Sequence, residues 1–174
     1  MSGPRVYIPV QMKNHDMQQQ LVQLGNGAHA LATQMLGNAN DATDAVHDAI
    51  VKALNQPGAY KADTGPFAPW FLRVVRNHCI DLIRRRRSTD DKIAKLSNPG
   101  PGPEEVLEAT QRDQALQQAL SHLKTGQREI IVLRDYMDLG YAEIADVLDI
   151  APGTVMSRLH RARMALKEEL GNHG

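Results

Sequence analysis

The chain has one cysteine, Cys79, among its 174 residues. That excludes an intrachain disulfide scaffold and any zinc site built on two or more of its own thiolates. Aromatic side chains are scarce, with two Phe, four Tyr and one Trp. The core must therefore come from Ala, Leu, Val and Ile, which favours helix-on-helix packing over an aromatic-rich sandwich. No apolar run approaches the roughly 18 residues a membrane span needs. Met1 to Met12 carries neither an apolar signal-peptide core nor a small-residue cleavage site. A cytoplasmic location without membrane insertion is the resulting expectation. Catalytic patterns are also lacking. His29, His47, His78 and His160 are scattered, and no His-x-x-x-His, Walker, nucleophile-elbow or paired-carboxylate arrangement occurs. No enzyme, metal or cofactor is expected.

Net charge is absent too, with 20 basic residues against 20 acidic ones. The distribution is uneven. Arg73, Arg76, Arg84, Arg85, Arg86, Arg87 and Lys92 crowd one stretch, and Arg158, Arg161, Arg163 and Lys167 crowd another. Between them lie Glu104, Glu105, Glu108 and Asp113. Two basic patches on either side of an acidic connector suit two contacts with one polyanion, while the neutral total leaves little affinity from charge alone.

The sharpest boundary is Ser97-Asn98-Pro99-Gly100-Pro101-Gly102-Pro103, a composition that continues neither helix nor central strand. No segment alternates with period 2, so an all-α chain is expected. It divides into an N-terminal extension over 1–15, a helical domain over 16–87, a flexible Pro/Gly linker over 88–110 and a second helical domain over 111–172. In the first domain, Leu21, Leu24, Ala28, Leu31 and Met35 form a helical face interrupted by Gly25 and Gly27. A second helix, capped by Asp41 or a neighbour, carries Ala45, Ala49 and Ala53. A third runs from about Pro69 to Arg87 with Trp70, Val74, Val75, Cys79, Ile80, Leu82 and Ile83. The second domain predicts a helix through Leu116, Leu120 and Leu123 closing at Gly126, then one through Ile130, Ile131 and Leu133. Tyr141 to Leu148 and Pro152 to about Leu170 follow, joined by the tight turn Asp149-Ile150-Ala151. Val155, Leu159, Ala162 and Leu166 recur at spacings of four, three and four, one buried stripe. Two helices joined this way, the second basic on its free side, make a helix-turn-helix signal. The connector has too little apolar content to hold the domains together, which implies two bodies of variable separation.

Tyr141-Ala142-Glu143-Ile144-Ala145 through Pro152-Gly153-Thr154-Val155-Met156-Ser157-Arg158-Leu159-His160-Arg161-Ala162-Arg163 resembles region 4 of bacterial sigma-70-type RNA polymerase sigma factors, and most nearly the extracytoplasmic-function (ECF) group. Leu123 with Gln127-Arg128-Glu129 belongs to the same pattern. Ala42-Thr43-Asp44-Ala45-Val46-His47-Asp48, Trp70-Phe71-Leu72-Arg73-Val74-Val75-Arg76-Asn77 and Asp81-Leu82-Ile83-Arg84-Arg85-Arg86-Arg87 resemble region 2. The resemblance implies a promoter-specificity subunit that binds core RNA polymerase, reads duplex DNA at the −35 element and melted DNA at the −10 element, and is held in check by an anti-sigma factor. Met156 stands where Lys or Arg is usual, and His47 where Gln is common. The segment before Asp41 is shorter than in most members. A polymerase-independent helix-turn-helix regulator and a sigma-like adaptor that binds polymerase or an anti-sigma factor without initiating are the competing readings.

Residue roles follow. With Val155, Leu159 and Ala162 turned inward, Thr154, Met156, Ser157, Arg158, His160 and Arg161 form the candidate −35 set. Arg161 can pair bidentately with guanine, and Arg158 suits phosphate. The resemblance assigns Tyr60, Lys61, Asp63, Asn77, Arg84, Arg85 and Arg87 to the −10 element, with the loop from Asn55 to Pro66 receiving a base drawn from the stack. It assigns Asp44, His47 and Asp48 to core polymerase. Trp70 and Cys79 read as core. Replacing Arg84 and Arg85 with Ala is expected to reduce promoter opening and flatten its dependence on salt, because phosphate contacts release counterions. Core-polymerase affinity is expected to change less. Open-complex formation across a salt series measures the first, and a binding titration the second.

Overall fold

The computed structural model describes residues 12–92 and 111–172. Among these residues there is no strand. The helices are α1 (Asn14–Leu36), α2 (Ala39–Asn55), α3 (Phe67–Lys92), α4 (Gln111–Ser121), α5 (Thr125–Ile131), α6 (Tyr141–Leu148) and α7 (Pro152–Asn172).

Helix α1 buries Met17, Leu21, Ala28, Leu31, Ala32 and Met35 along one side. It runs unbroken through Gly25 and Gly27. Gly37 ends it, with φ 86° and its N–H on the Thr33 carbonyl at 2.9 Å. Such a left-handed cap favours glycine. Asn38, rather than Asp41, caps α2 by accepting the Asp41 N–H at 2.8 Å. The buried side of α2 is small, with Ala42, Ala45, Val46, Ala49 and Ala53, so α1 and α3 can approach it closely. Helix α3 contributes Phe67, Phe71, Leu72, Val75 and Cys79 to the same core. It begins before Pro69 and continues past Arg87 to Lys92, which turns the first part of the expected linker into helix. The Pro/Gly run itself lies outside the described residues, as does most of the expected N-terminal extension.

In the second region the helix boundary differs from the sequence expectation. Helix α4 stops at Ser121, Leu116 is exposed, and Gly126 lies in the first turn of α5 rather than closing α4. Lys124 makes the break. Its backbone is extended, and its N–H donates to the Gln127 side chain at 3.2 Å. Helix α5 passes into a π-helical turn, Val132–Tyr136. At the start of α6 the Gly140 N–H donates to the Glu143 carboxylate at 2.8 Å. Asp149, with φ 54°, makes the sharp turn before Pro152 opens α7.

The regions do not stand apart. One apolar cluster runs through α1, α2 and α3 into α5, α6 and α7. Helices α1 and α5 touch, as do α3 and α6. Gly27 explains why α1 tolerates a glycine in its middle. A Cβ there would lie 2.2 Å from Met137 Cε and 2.7 Å from its sulfur. The missing side chain is the space Met137 occupies, and the loss in helix propensity, about 1 kcal/mol relative to Ala, is accepted for close packing. The composition of the connector, on which the expectation of two bodies rested, carries no sign of this contact.

Two outcomes follow for stability. Truncating Leu159, which is 2% exposed, to Ala is expected to destabilise the second region by roughly 2–5 kcal/mol in urea unfolding. Asp41 is held below its ordinary value of 3.8 chiefly by the Asn38 side-chain amide, against burial and with help from Arg86. A depressed carboxylate stabilises the fold above its unfolded pKa and loses that effect as pH falls through its folded one. The stability advantage of the natural chain over Asp41→Asn, read from urea midpoints, is therefore expected at neutral pH and to fade as pH falls below the ordinary carboxylate value of 3.8.

Candidate nucleic-acid interface

Helix α7 is fixed by Val155, Leu159 and Ala162, all buried against α5 and α6. The opposite side is open. Met156 is 61% exposed, and Ser157, Arg158, His160 and Arg161 are exposed with it, while Thr154 is half-buried. The Ser157 hydroxyl donates to the Thr154 carbonyl at 3.0 Å, and Arg161 Nε donates to the Ser157 carbonyl at 3.3 Å. Arg161 is exposed, and a guanidinium's terminal nitrogens form a fork suited to two acceptors. The six candidate −35 residues are thus brought together on one helix. Arg163, on the same helix, is fastened elsewhere. Its guanidinium holds Asp135 of the π-turn through Nε at 3.2 Å and a terminal nitrogen at 2.5 Å. The hydrogen bond to Asp135 leads in raising its pKa.

The exposed end of α3 supplies the second basic surface. Arg84, Arg85 and Arg87 face solvent, as does Asn77 about two turns before Arg84. Arg86 is exposed as well, but it reaches across to the Asp41 carboxylate and to the Leu36 carbonyl at 3.3 Å. It ties α3 to the α1–α2 corner. All four consecutive arginines are exposed, and because a helix points consecutive residues in different directions, Arg86 is the one that meets the α1–α2 corner.

The loop between α2 and α3 corrects one assignment. Tyr60 is only 8% exposed. Its ring meets Phe67 edge-on at 5.1 Å and Trp70 at 5.4 Å, and its hydroxyl donates to the Gly65 carbonyl at 2.7 Å. Burial raises its pKa. Tyr60 shapes the loop from inside and does not offer a face to a base. Lys61 and Asp63 are exposed on the loop. They do not line the 170 Å³ cavity beneath it, which is formed by Thr64, Gly65, Pro66, Pro69, Trp70, Arg73 and, from α6, Asp146. Trp70 is half-buried within the aromatic cluster.

On α2, Asp44, His47 and Asp48 share the exposed side, and Asp48 lies 3.3 Å from His78 Nε2. Three residues that sequence reasoning left without a structural role join the regions. Arg76 Nε donates to the Glu129 carboxylate at 3.1 Å. Arg128 Nε donates to the Gln34 carbonyl of α1 at 3.1 Å, and a terminal nitrogen reaches the Leu123 carbonyl. Arg128 and Glu129 were visible as part of a motif, but nothing in their spacing indicates a partner on another helix. Among the described residues no His, Cys, Asp and Glu cluster suits a metal ion, and no helix is long and apolar enough to cross a membrane.

Comparison with known proteins agrees with this geometry. Residues 21–89 match the model for sigma-70 region 2, and residues 113–166 match the model for sigma-70 region 4. The ECF RNA polymerase sigma factor SigE of Mycolicibacterium smegmatis is 30% identical over 150 residues, 83% of this chain, which spans 58% of that protein's length. The ECF sigma factor SigL of Mycobacterium tuberculosis is 34% identical over 149 residues, covering 80% of this chain and 82% of SigL. The sigma factor RpoE in complex with the anti-sigma factor NepR, from Bartonella quintana, superposes with a TM-score of 0.75 at 26% identity, over 90% of this chain and 97% of that one. The chain belongs to the ECF group of bacterial sigma-70 RNA polymerase sigma factors, a family of non-catalytic transcription factors.

Proposed function

We propose that this chain binds core RNA polymerase, places α7 in the major groove of a −35 element, and applies α3 and the preceding loop to a melted −10 element so that transcription starts. On this reading residues 16–87 form the polymerase-binding and melting domain, and residues 111–172 the duplex-reading domain. The observation that carries it is the open side of α7, where Met156, Ser157, His160 and Arg161 stand outward while the alternate rows lock the helix in place. Rigid support with free polar groups is what base reading requires. The three outward arginines of α3 supply the sequence-independent part. Asp44, His47 and Asp48 on α2 form the face offered to polymerase. The structural likeness to RpoE, whose described complex contains NepR, supports an anti-sigma partner here as well.

In vitro transcription with purified core polymerase on a promoter library, with start-site mapping, tests the whole. Polymerase-dependent starts downstream of a shared pair of elements support it. A footprint by the chain alone on a palindrome would indicate a polymerase-independent regulator, and polymerase binding without starts would indicate an adaptor. Arg161→Ala is expected to lose roughly 1–3 kcal/mol of discrimination at one or two −35 positions. Arg158→Ala is expected to weaken all promoters evenly, as loss of a phosphate contact does. Met156→Lys is expected to strengthen binding by adding a cation near the phosphates. Initiation across single-base −35 variants measures all three, with circular dichroism to confirm folding.

A further inference from the structure

We infer that Asp135 and Arg163 are positioning residues for base reading: their carboxylate–guanidinium pair sets the angle at which α7 presents Ser157, His160 and Arg161, and neither side chain touches DNA. The inference rests on the promoter reading above for its consequence, but the strut itself stands on separate geometry.

Two parallel hydrogen bonds make the pair. Arg163 Nε donates to one oxygen of the Asp135 carboxylate at 3.2 Å, and a terminal nitrogen donates to the other at 2.5 Å. A two-pronged contact of this kind fixes orientation as well as distance. Arg163 stands on the flank of α7. At about 100° per residue it is turned about 20° from exposed Met156 and about 40° from buried Leu159. From that flank a long side chain has a path either to the groove or back to the π-turn, and Asp135 claims it.

The π-turn is built to be the anchor. Its Met137 N–H bonds the Val132 carbonyl, five residues back, at 3.0 Å. A turn of this width is rare, and it resets the phase of the residues within it. Arg134, next to Asp135, donates to the Leu139 carbonyl at 2.8 Å and lies over the Tyr141 ring at 5.2 Å. Neighbouring residues of one turn thus hold the start of α6 and the middle of α7.

The buried stripe cannot do this alone. Val155, Leu159 and Ala162 decide which side of α7 faces inward, but apolar burial is non-directional and tolerates small rotations. Base reading needs placement to about 0.5 Å. A directional pair beside the stripe supplies that constraint. The pair lies at the surface, with side chains 48% and 41% exposed, so it adds little to stability. Its loss is expected to leave the chain folded and to show in reading.

The test takes Asp135→Asn, Arg163→Gln and the double variant into transcription with core polymerase, across single-base −35 variants and a salt series. Each single variant is expected to flatten the base preference by about three- to tenfold. The double variant is expected to be no worse than either, because both changes remove one contact. Salt dependence is expected to stay as in the natural chain, since no phosphate contact is lost. Arg163→Lys keeps the charge without the fork, and is expected to match Arg163→Gln in base preference. Tighter binding and steeper salt dependence in Asp135→Asn, with the reverse in Arg163→Gln, would make Arg163 a phosphate contact restrained by the acid and overturns the strut. An unchanged preference profile overturns it as well.

Amide hydrogen exchange in the free full chain gives a readout without polymerase. The Ser157 to Arg161 amides are expected to exchange about threefold faster in both single variants, through local opening of α7, with urea midpoints nearly unmoved. Equal exchange rates overturn the strut. If no form of the chain initiates, the promoter reading fails, and exchange alone decides whether the pair holds α7.

Discussion

A carboxylate removed from water requires a cation at hydrogen-bond distance, and Glu129 meets that requirement across the middle of the molecule. Arg76 of α3 provides the cation at 3.1 Å. An unpaired Glu129 would be strongly destabilising where it sits, so α5 cannot pack in its observed position unless α3 is alongside. Helix α5 is also the support for α7. One ion pair thereby helps to fix the placement of α7 relative to the first region. Arg128, the preceding residue, reinforces the same register from the neighbouring row by reaching the Gln34 carbonyl at the end of α1. Its own pKa is lowered, chiefly by burial, with Glu129 acting against that shift.

The arginines divide by helical phase into structural and outward groups. Arg76, half-buried, and Arg86, at the surface, bind acids of other helices, and Arg163 of α7 holds Asp135. Arg84, Arg85, Arg87, Arg158 and Arg161 point to solvent. Basic residues that look alike in a linear run thus carry different work. Those paired with acids tie helices together, and the others stand exposed to solvent.

Periodicity made α6 and α7 legible because both helices bury one clean stripe, and the spacing of Val155, Leu159 and Ala162 allows no other face inward. The same stripe leaves Met156, Ser157, Arg158, His160 and Arg161 exposed by subtraction, with Thr154 half-buried. Helix α3 was legible for the same reason. What it could not show were choices made by tertiary contact. Gly27 reads locally as a weak point, yet its lack of a side chain is what Met137 requires. Tyr60 stands in a polar loop and reads as exposed, yet Phe67 and Trp70 enclose it and Gly65 takes its hydroxyl hydrogen bond. Gly126 reads as a helix stop, but the backbone of Lys124 makes the break two residues earlier. Glu129 gives no sign of burial, since its partner lies far away in sequence.

Charge neutrality acquires a physical meaning from this arrangement. With 20 basic and 20 acidic residues, the chain has little long-range field, and at physiological salt each surface acts over a Debye length of about 8 Å. Acids such as Asp44 and Asp48 sit on α2, apart from the outward arginines of α3 and α7. Each basic surface is then a short-range contact of modest strength. On the promoter reading proposed above, two such contacts become strong together only when their separation matches the spacing on one duplex, since linked sites gain from effective concentration solely where the geometry permits both. Selectivity for promoters over bulk DNA then comes from the coupling of separation and base reading rather than from total charge.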